Sequence, residues 1–349
     1  MLTSVFLVLV ILLCLFFIYT DGFQDGSSVS ATAIGSRALS PVKAVLIAAT
    51  FEFMGAMLGG SAVANSVTGI TSWPDQKDLL PVLSAGLTAA IAWNYITRRL
   101  RLPSSSTHAL FGGILGSVFA GSQNTKYIVW GTPNDIIHAT GVWKIGLSLF
   151  LSPLCGFVAG YFMLSVVNVL LARATNRINQ TLKALQWITV AVLAFSHGAN
   201  DAQKAMGIIL LGLHALGLSN GLLIPLSVRL ACACGITLGV LSLTPGIVKR
   251  VGTEIYRLRP VHGLMTQIAS ATVILTASLT GGPVSTTQVI ASSVMGVGGA
   301  DRIKGVHWLA AKEMLIAWFL TIPLTALLAF LIYWAAFQWS SQLLVISPT

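Results

Sequence analysis

Charge is what this chain has least of. Among 349 residues only 10 are acidic and 20 basic, so charged side chains make up 9%. A soluble domain carries about a quarter. A chain that is 55% apolar cannot hide that much hydrocarbon in a water-facing fold, which excludes the ordinary soluble classes. Cysteine is scarce too. Cys14, Cys155, Cys232 and Cys234 lie scattered in apolar runs without metal-site spacing, which excludes a disulfide framework and a zinc ribbon. No Lys or Arg precedes the apolar run 2–19 and no Ala-Xaa-Ala-like site follows it, so it reads as a transmembrane helix and not a signal peptide. A concentrated basic patch is also lacking. The excess of +10 is spread over short loops at Arg98, Arg99 and Arg101, at Arg173, Arg177 and Lys183, and at Lys249, Arg250, Arg257 and Arg259. Loops flanking membrane helices account for that pattern, and a nucleic-acid partner is excluded. The clusters occur in both halves and leave the membrane orientation open.

What the chain has is long apolar blocks, at 2–19, 44–65, 79–97, 144–171, 184–196 with 205–213, 221–244, 261–279 and 314–337. Several approach the roughly 20 residues that cross a bilayer. Two more stretches, 103–121 and 283–298, are apolar but rich in Gly and Ser and suit re-entrant hairpins. The expected class is an all-α polytopic integral membrane protein with lipid as its surroundings.

The blocks are interrupted in a repeated order. Gly22-Phe-Gln-Asp25 matches Gly198-Ala-Asn-Asp201 at an offset of 176 residues, each reading Gly, apolar, amide, Asp. Pro103-Ser-Ser-Ser-Thr-His108 matches Pro283-Val-Ser-Thr-Thr-Gln288 at an offset of 180. Two motifs repeated in the same order indicate an internal duplication. The division is a first transmembrane repeat at 1–171, a connector at 172–183 and a second repeat at 184–349. Polar breaks at matching places in two hydrophobic halves point to a transporter's binding site built from inverted repeats. The expectation is two broken helices, interrupted at Asp21–Ser28 and His197–Asp201, meeting two hairpins near the midplane.

The chemistry of the motifs is complementary. Pro suits the first position of a helix, and Ser or Thr suits its cap. Helix starts bind anions through free N–H groups and partial positive charge. Ser104, Ser105, Ser106 and Thr107 with Ser285, Thr286 and Thr287 would offer many donors to one tetrahedral oxyanion. Asp25 and Asp201 would repel that anion unless cations sit between. Gln24 and Asn200 add amide oxygens beside the acids, so Na⁺ or H⁺ would enter with the anion and make it bound. Glu52, inside a second apolar block, is either a further cation or proton site or the partner of a buried base such as Arg229. Gly55 and Gly59 have the spacing of close helix packing. His108, His197, Lys204, Gln288 and Asp21 are accessory candidates: the histidines tune protonation or only bond a helix end, and Lys204 attracts anions or snorkels to the interface.

The complete run His197-Gly-Ala-Asn-Asp-Ala-Gln-Lys204, its weaker copy around Asp25, and both hydroxyl motifs resemble the inorganic phosphate transporter (PiT) family of cation–phosphate symporters. The likeness extends from about Asp21 to Pro323. The departures are Asp21 and Gln24 where the family has Asn, Gly26-Ser27-Ser28 after the first Asp, and Gln288 in place of His. The resemblance implies secondary active symport of inorganic phosphate with Na⁺ or H⁺, no enzymatic activity and no cofactor. It also implies a multi-pass protein of the plasma (cell inner) membrane and a homodimer. The nearest alternative is a sulfate or other oxyanion permease of the same superfamily. An anion channel and an intramembrane hydrolase using Ser104 to Thr107 with His108 are more remote. A hydrolase needs one nucleophile with an orienting group and an oxyanion hole, not a duplicated hydroxyl run.

Overall fold

In a bilayer each backbone N–H and C=O must be bonded within its own segment, so apolar runs of this length fold as helices. A computed structural model describes residues 2–73, 76–100, 102, 104–132, 139–219 and 223–338. Arg101 of the first basic loop and Pro103 of the first hydroxyl motif lie outside them. Among the described residues there are twelve α-helices. They are α1 (Leu2–Gly35), α2 (Pro41–Leu58), α3 (Ala62–Thr68), α4 (Gln76–Arg99), α5 (Ser106–Ser122) and α6 (Gly141–Leu170). The chain continues with α7 (Ile178–Ala215), α8 (Leu226–Leu241), α9 (Pro245–Lys249), α10 (Pro260–Thr280), α11 (Thr286–Arg302) and α12 (Trp308–Tyr333). Six helices are long and apolar enough to cross a membrane, and a seventh span is formed if α8 and the bent segment Pro245–Glu254 count as one.

Two expectations are corrected here. Neither polar motif breaks its helix: α1 runs unbroken through Asp21–Ser28 and α7 through His197–Asp201. An interior helix needs no water at a polar stretch when neighbouring helices supply the partners. Ser27 bonds back to Phe23 O, Asp25 and Asp201 receive hydroxyls from other elements, and His197 is met by Glu52. At 34 and 38 residues, both helices exceed the roughly 30 Å hydrocarbon core, since each residue adds about 1.5 Å. The second correction concerns the prolines. The hydroxyl helices begin at Ser106 and Thr286 with Ser105 and Ser285 at their N-caps, so Pro283 precedes its cap and does not open the helix.

The two long helices lie antiparallel and side by side. Ser36 Oγ bonds Gln186 Oε1 at 2.8 Å near one end, and Gly212 faces Leu7 and Val10 near the other. Asp25 and Asp201 therefore fall beside each other at mid-length. α8 packs along α1 and α2 along α7. Both contacts require glycine. A Cβ on Gly198 would come 2.2 Å from Glu52 O, and one on Gly22 would come 2.4 Å from Ile236 O. Gly55 and Gly59 meet the α7 backbone as their spacing suggested.

α4 and α5 form one antiparallel hairpin and α10 with α11 the other, each with its hydroxyl motif at the turn. The hydroxyl helix of each half leans on the last long helix of the other half, α5 on α12 and α11 on α6. The outer faces of α6 and α12 expose Phe150, Val158, Phe162, Phe319 and Leu327, an apolar surface suited to lipid. The interior is polar instead: Asp21, Asp25, Glu52, His197, Asp201 and Lys204 are wholly buried. The four cysteines are free, two buried and two exposed.

Candidate functional site

The site lies where the two hairpin turns meet the middle of α1 and α7. The N-terminal ends of α5 and α11 point into one region. Thr107 Oγ1 donates to Val284 O at 3.0 Å, and Gln288 Nε2 approaches His108 Nδ1 at 3.4 Å. Each helix start has first-turn N–H groups without a helical carbonyl partner.

The acids take hydroxyls from both hairpins. Ser106 Oγ donates to Asp25 Oδ2 at 2.5 Å, and Thr287 Oγ1, from the other hairpin, donates to Asp25 Oδ1. Thr286 Oγ1 donates to Asp201 Oδ1 at 3.1 Å. The ligand atoms of Asp21, Asp25, His197 and Asp201 all lie within 4.8 Å of one another. At that separation two ionised carboxylates repel by roughly 3–4 kcal/mol at an effective dielectric near 20. Buried acids this close need compensating cations, and α7 brings some of its own. Lys204 Nζ lies 2.8 Å from Asp201 Oδ1. His197 Nε2 lies 3.2 Å from Asp201 Oδ2, and its Nδ1 lies 3.0 Å from Glu52 Oε2. Asp21 differs: neither carboxylate oxygen has a hydrogen-bond partner, and the same is true of Gln24 Oε1.

The remaining candidates are sorted by these contacts. Five of the seven hydroxyls lie at the acid cluster or at the meeting helix starts. Ser106, Thr286 and Thr287 bond carboxylates, Thr107 receives Lys204 at 2.5 Å, and Ser285 is buried with no partner. The other two are drawn into the scaffold. Ser104 Oγ accepts from Trp93 Nε1 at 3.0 Å and lies 3.1 Å from Thr321 Oγ1. Ser105 caps α5 and sits 2.6 Å from His108 Nδ1. The amides of Gln24 and Asn200 brace the hairpin turns. Gln24 Nε2 donates to Thr97 Oγ1 and to Ser104 O. Asn200 donates to Ser278 Oγ and Gly282 O, and its Oδ1 accepts from Val284 N. Lys204 does not snorkel: it is fully buried at the centre. Glu52 is not paired with Arg229, whose guanidinium donates to Met57 O, but with His197.

Sequence reasoning overlooked Ser28, Thr97, Trp93, Thr321 and the Val284 carbonyl. Ser28 was within reach, because the 176-residue offset places it opposite Lys204 and places Asp21 opposite His197. Val284 lies within the second hydroxyl motif, but Thr97, Trp93 and Thr321 carry no local signal, since only the packing of α4 and α12 against the hairpin turn brings them in.

Helices apolar outside and lined with ionisable side chains inside, closing on two hairpin turns, define a multi-pass membrane protein built around a buried polar centre. Residues 21–329 match the family described as "Phosphate transporter family", and the chain belongs to that family. A relative from Bacillus subtilis (strain 168), described as a "probable low-affinity inorganic phosphate transporter", is 37% identical over 93% of this chain and 96% of its own length. One of the same description from Rhizobium meliloti (strain 1021) is 36% identical over 95% of this chain and 96% of its own. A solved structure described as "The sodium-dependent phosphate transporter" superposes with a TM-score of 0.81 at 25% identity, covering 98% of this chain and all of that one. The relatives are transporters, and this chain is a transporter and not an enzyme.

Proposed function

We propose that this protein carries inorganic phosphate across the plasma membrane as a secondary active symporter. Na⁺ is its coupling cation, and two inverted repeats, 1–171 and 184–349 joined by 172–183, surround one central site. The observation that carries the reading is the convergence of both hairpin starts on Asp25 and Asp201. An anion site at helix starts, built against buried carboxylates, is favourable only when cations enter with the anion. The hydroxyl protons of Ser106, Thr286 and Thr287 now point at carboxylates. A cation on those carboxylates would release the hydroxyls to turn toward phosphate. Binding of the two ions is then mutually required, which is the physical content of symport.

In this scheme Ser106, Thr107, Ser285, Thr286 and Thr287 contact the anion, with the first-turn N–H groups of α5 and α11. Ser104 and Ser105 hold the turn. Asp25 and Asp21 ligate the cation, and Asp201 is shared with Lys204. Na⁺ is favoured over H⁺ by the cluster of carboxylate, amide and hydroxyl oxygens and by the sodium dependence stated for the solved neighbour. The inverted-repeat reading is supported by the exchanged packing of α5 on α12 and α11 on α6, and by antiparallel α1 and α7. A homodimer is carried by the family resemblance.

The test is counterflow of labelled phosphate in proteoliposomes, with Na⁺ and pH gradients varied separately and sulfate as competitor. The expected result is accumulation driven by inward Na⁺ and unaffected by sulfate. Equal flux with and without any cation gradient would make the protein a uniporter or channel and overturn the reading.

A further inference from the structure

Lys204 has the surroundings of a metal ion. Its ammonium meets a carboxylate oxygen, Asp201 Oδ1, at 2.8 Å, a hydroxyl, Thr107 Oγ1, at 2.5 Å, and a backbone carbonyl, Val284 O, at 2.9 Å. Three acceptors use all three of its N–H bonds, so none is left to attract phosphate. The side chain is wholly buried. Carboxylate, hydroxyl and carbonyl are also the oxygens that a hard cation selects.

The repeat places a counterpart in the first half. The residue 176 positions before Lys204 is Ser28, as Asp25 is 176 before Asp201. One of its contacts mirrors one of those of Lys204. Lys204 touches Thr107 of the opposite half's hairpin, and Ser28 Oγ lies 3.2 Å from Thr287 Oγ1 of the opposite half's hairpin. Thr287 is 180 residues after Thr107. The two positions are thus equivalent in sequence and in contact, but only one carries a positive charge. The α1 motif has two carboxylates, Asp21 and Asp25, and no basic residue on its own helix to answer them. Three buried oxygens there, both of Asp21 and Gln24 Oε1, have no hydrogen-bond partner.

We propose that Lys204 is a tethered cation filling the second of two equivalent cation positions, so that each transport cycle carries a single Na⁺, bound in the first half by Asp21, Asp25 and the Gln24 carbonyl. This rests on the symport reading above and adds its stoichiometry. A covalently held ammonium neutralises Asp201 in every conformation but cannot leave with the substrate, so it contributes nothing to the driving force. The consequence is a shallower limit of accumulation. With one coupled Na⁺ a tenfold cation gradient holds about a tenfold phosphate gradient at zero voltage, and with two it holds about a hundredfold, because each tenfold is about 1.4 kcal/mol per ion.

The measurement is the null point of net phosphate flux in proteoliposomes of the wild-type protein, with voltage clamped at zero and pH equal on both faces. For an imposed tenfold phosphate gradient, the expected null is an opposing Na⁺ gradient of about tenfold. A null near threefold means two coupled Na⁺ ions, and it overturns the tethered-cation proposal while leaving symport intact. When the measurement is repeated with a pH gradient imposed, a null that follows pH and ignores Na⁺ also overturns it, leaving proton symport. Flux indifferent to every cation gradient overturns both. A second readout does not need transport: equilibrium binding of ²²Na⁺ to purified protein. One ion per wild-type chain is expected, none in Asp21→Asn/Asp25→Asn, and two in Lys204→Ser, where the freed position takes a second ion. One ion in Lys204→Ser, in protein that retains its wild-type α-helical circular dichroism, would show that the Lys204 position is not a cation site.

Discussion

The middle of α1 and the middle of α7 are the same motif built with different electrostatics. Each places an acid four residues along from a second polar side chain, and each acid receives a hydroxyl from the hairpin of its own half, Ser106 to Asp25 and Thr286 to Asp201. In α7 the acid is flanked by His197 and Lys204, and Glu52 stands beyond the histidine. In α1 the equivalent flanks are Asp21 and Ser28, and Asp21 has no hydrogen-bond partner. One half is an ion-paired network, and in the other Asp21 has no ion pair among the described residues. In the proposed scheme α7 holds the centre together and α1 does the binding.

That division can be broken most severely at Asp201. Asp201→Asn leaves Lys204 and His197 buried without their carboxylate, and breaking such a pair costs about 3–5 kcal/mol. The detergent-solubilised variant is expected to lose thermal stability as well as concentrative uptake. Asp25→Asn is expected to lose uptake with much less loss of stability, since one of its two hydroxyl partners stays bonded to the amide oxygen and the other can turn to accept from the amide nitrogen. Differential scanning fluorimetry beside phosphate uptake separates the two. Equal destabilisation of both variants would abolish the distinction. The double variant Asp201→Asn/Lys204→Met should recover part of the stability lost by the single one.

A smaller effect is expected at the helix contacts that bring the two motifs together. Gly198→Ala places a methyl 2.2 Å from Glu52 O, and Gly22→Ala one 2.4 Å from Ile236 O. Forced overpacking typically costs 1–3 kcal/mol. Both should lower the unfolding temperature, and Gly198→Ala should also disturb cation dependence, because it pushes Glu52 away from His197. A stable, fully active Gly198→Ala variant would mean that α2 can slide along α7 without affecting the centre.

The amides provide a finer comparison. Asn200 makes three bonds to the second hairpin, to Ser278, Gly282 and Val284, whereas the bonds of Gln24 to the first are two from a single nitrogen. At about 1 kcal/mol net per bond, Asn200→Ala should loosen its hairpin more than Gln24→Ala loosens the other. Hydrogen exchange across 282–288 and 104–108 measures both, and equal protection loss would count against the bracing role of Asn200. Least is expected of the peripheral pair Arg250–Glu313, where the carboxylate is 53% exposed. Glu313→Gln should change stability by about 1 kcal/mol or less, and a larger loss of stability or of uptake would tie this pair to the site.

By itself the sequence determined the class and brought the residues of the centre into view. Composition and apolar runs dictate a helical membrane protein, because hydrocarbon excludes unpaired backbone. The repeat of Gly22–Asp25 in Gly198–Asp201 is visible without coordinates, as is the hydroxyl repeat around Ser106 and Thr286. Local reading failed where polarity suggested a break, since whether Asp21–Ser28 stays helical depends on neighbours that lie far away in the chain. The roles within the motifs also waited for the fold. Ser104 and Ser105 look like Ser106 in the sequence, but successive residues around a helix start point in different directions, and only Ser106 reaches Asp25. Glu52 has a choice of buried bases in sequence, and the close passage of Gly55 over Phe195 and of Gly198 over the Glu52 backbone brings His197 beside it. Tertiary structure decided which charges are paired and which are left over, because burial makes the energy of a charge depend on partners within a few ångströms, and partners such as Glu52 for His197 and Thr287 for Asp25 come from helices far away in the chain.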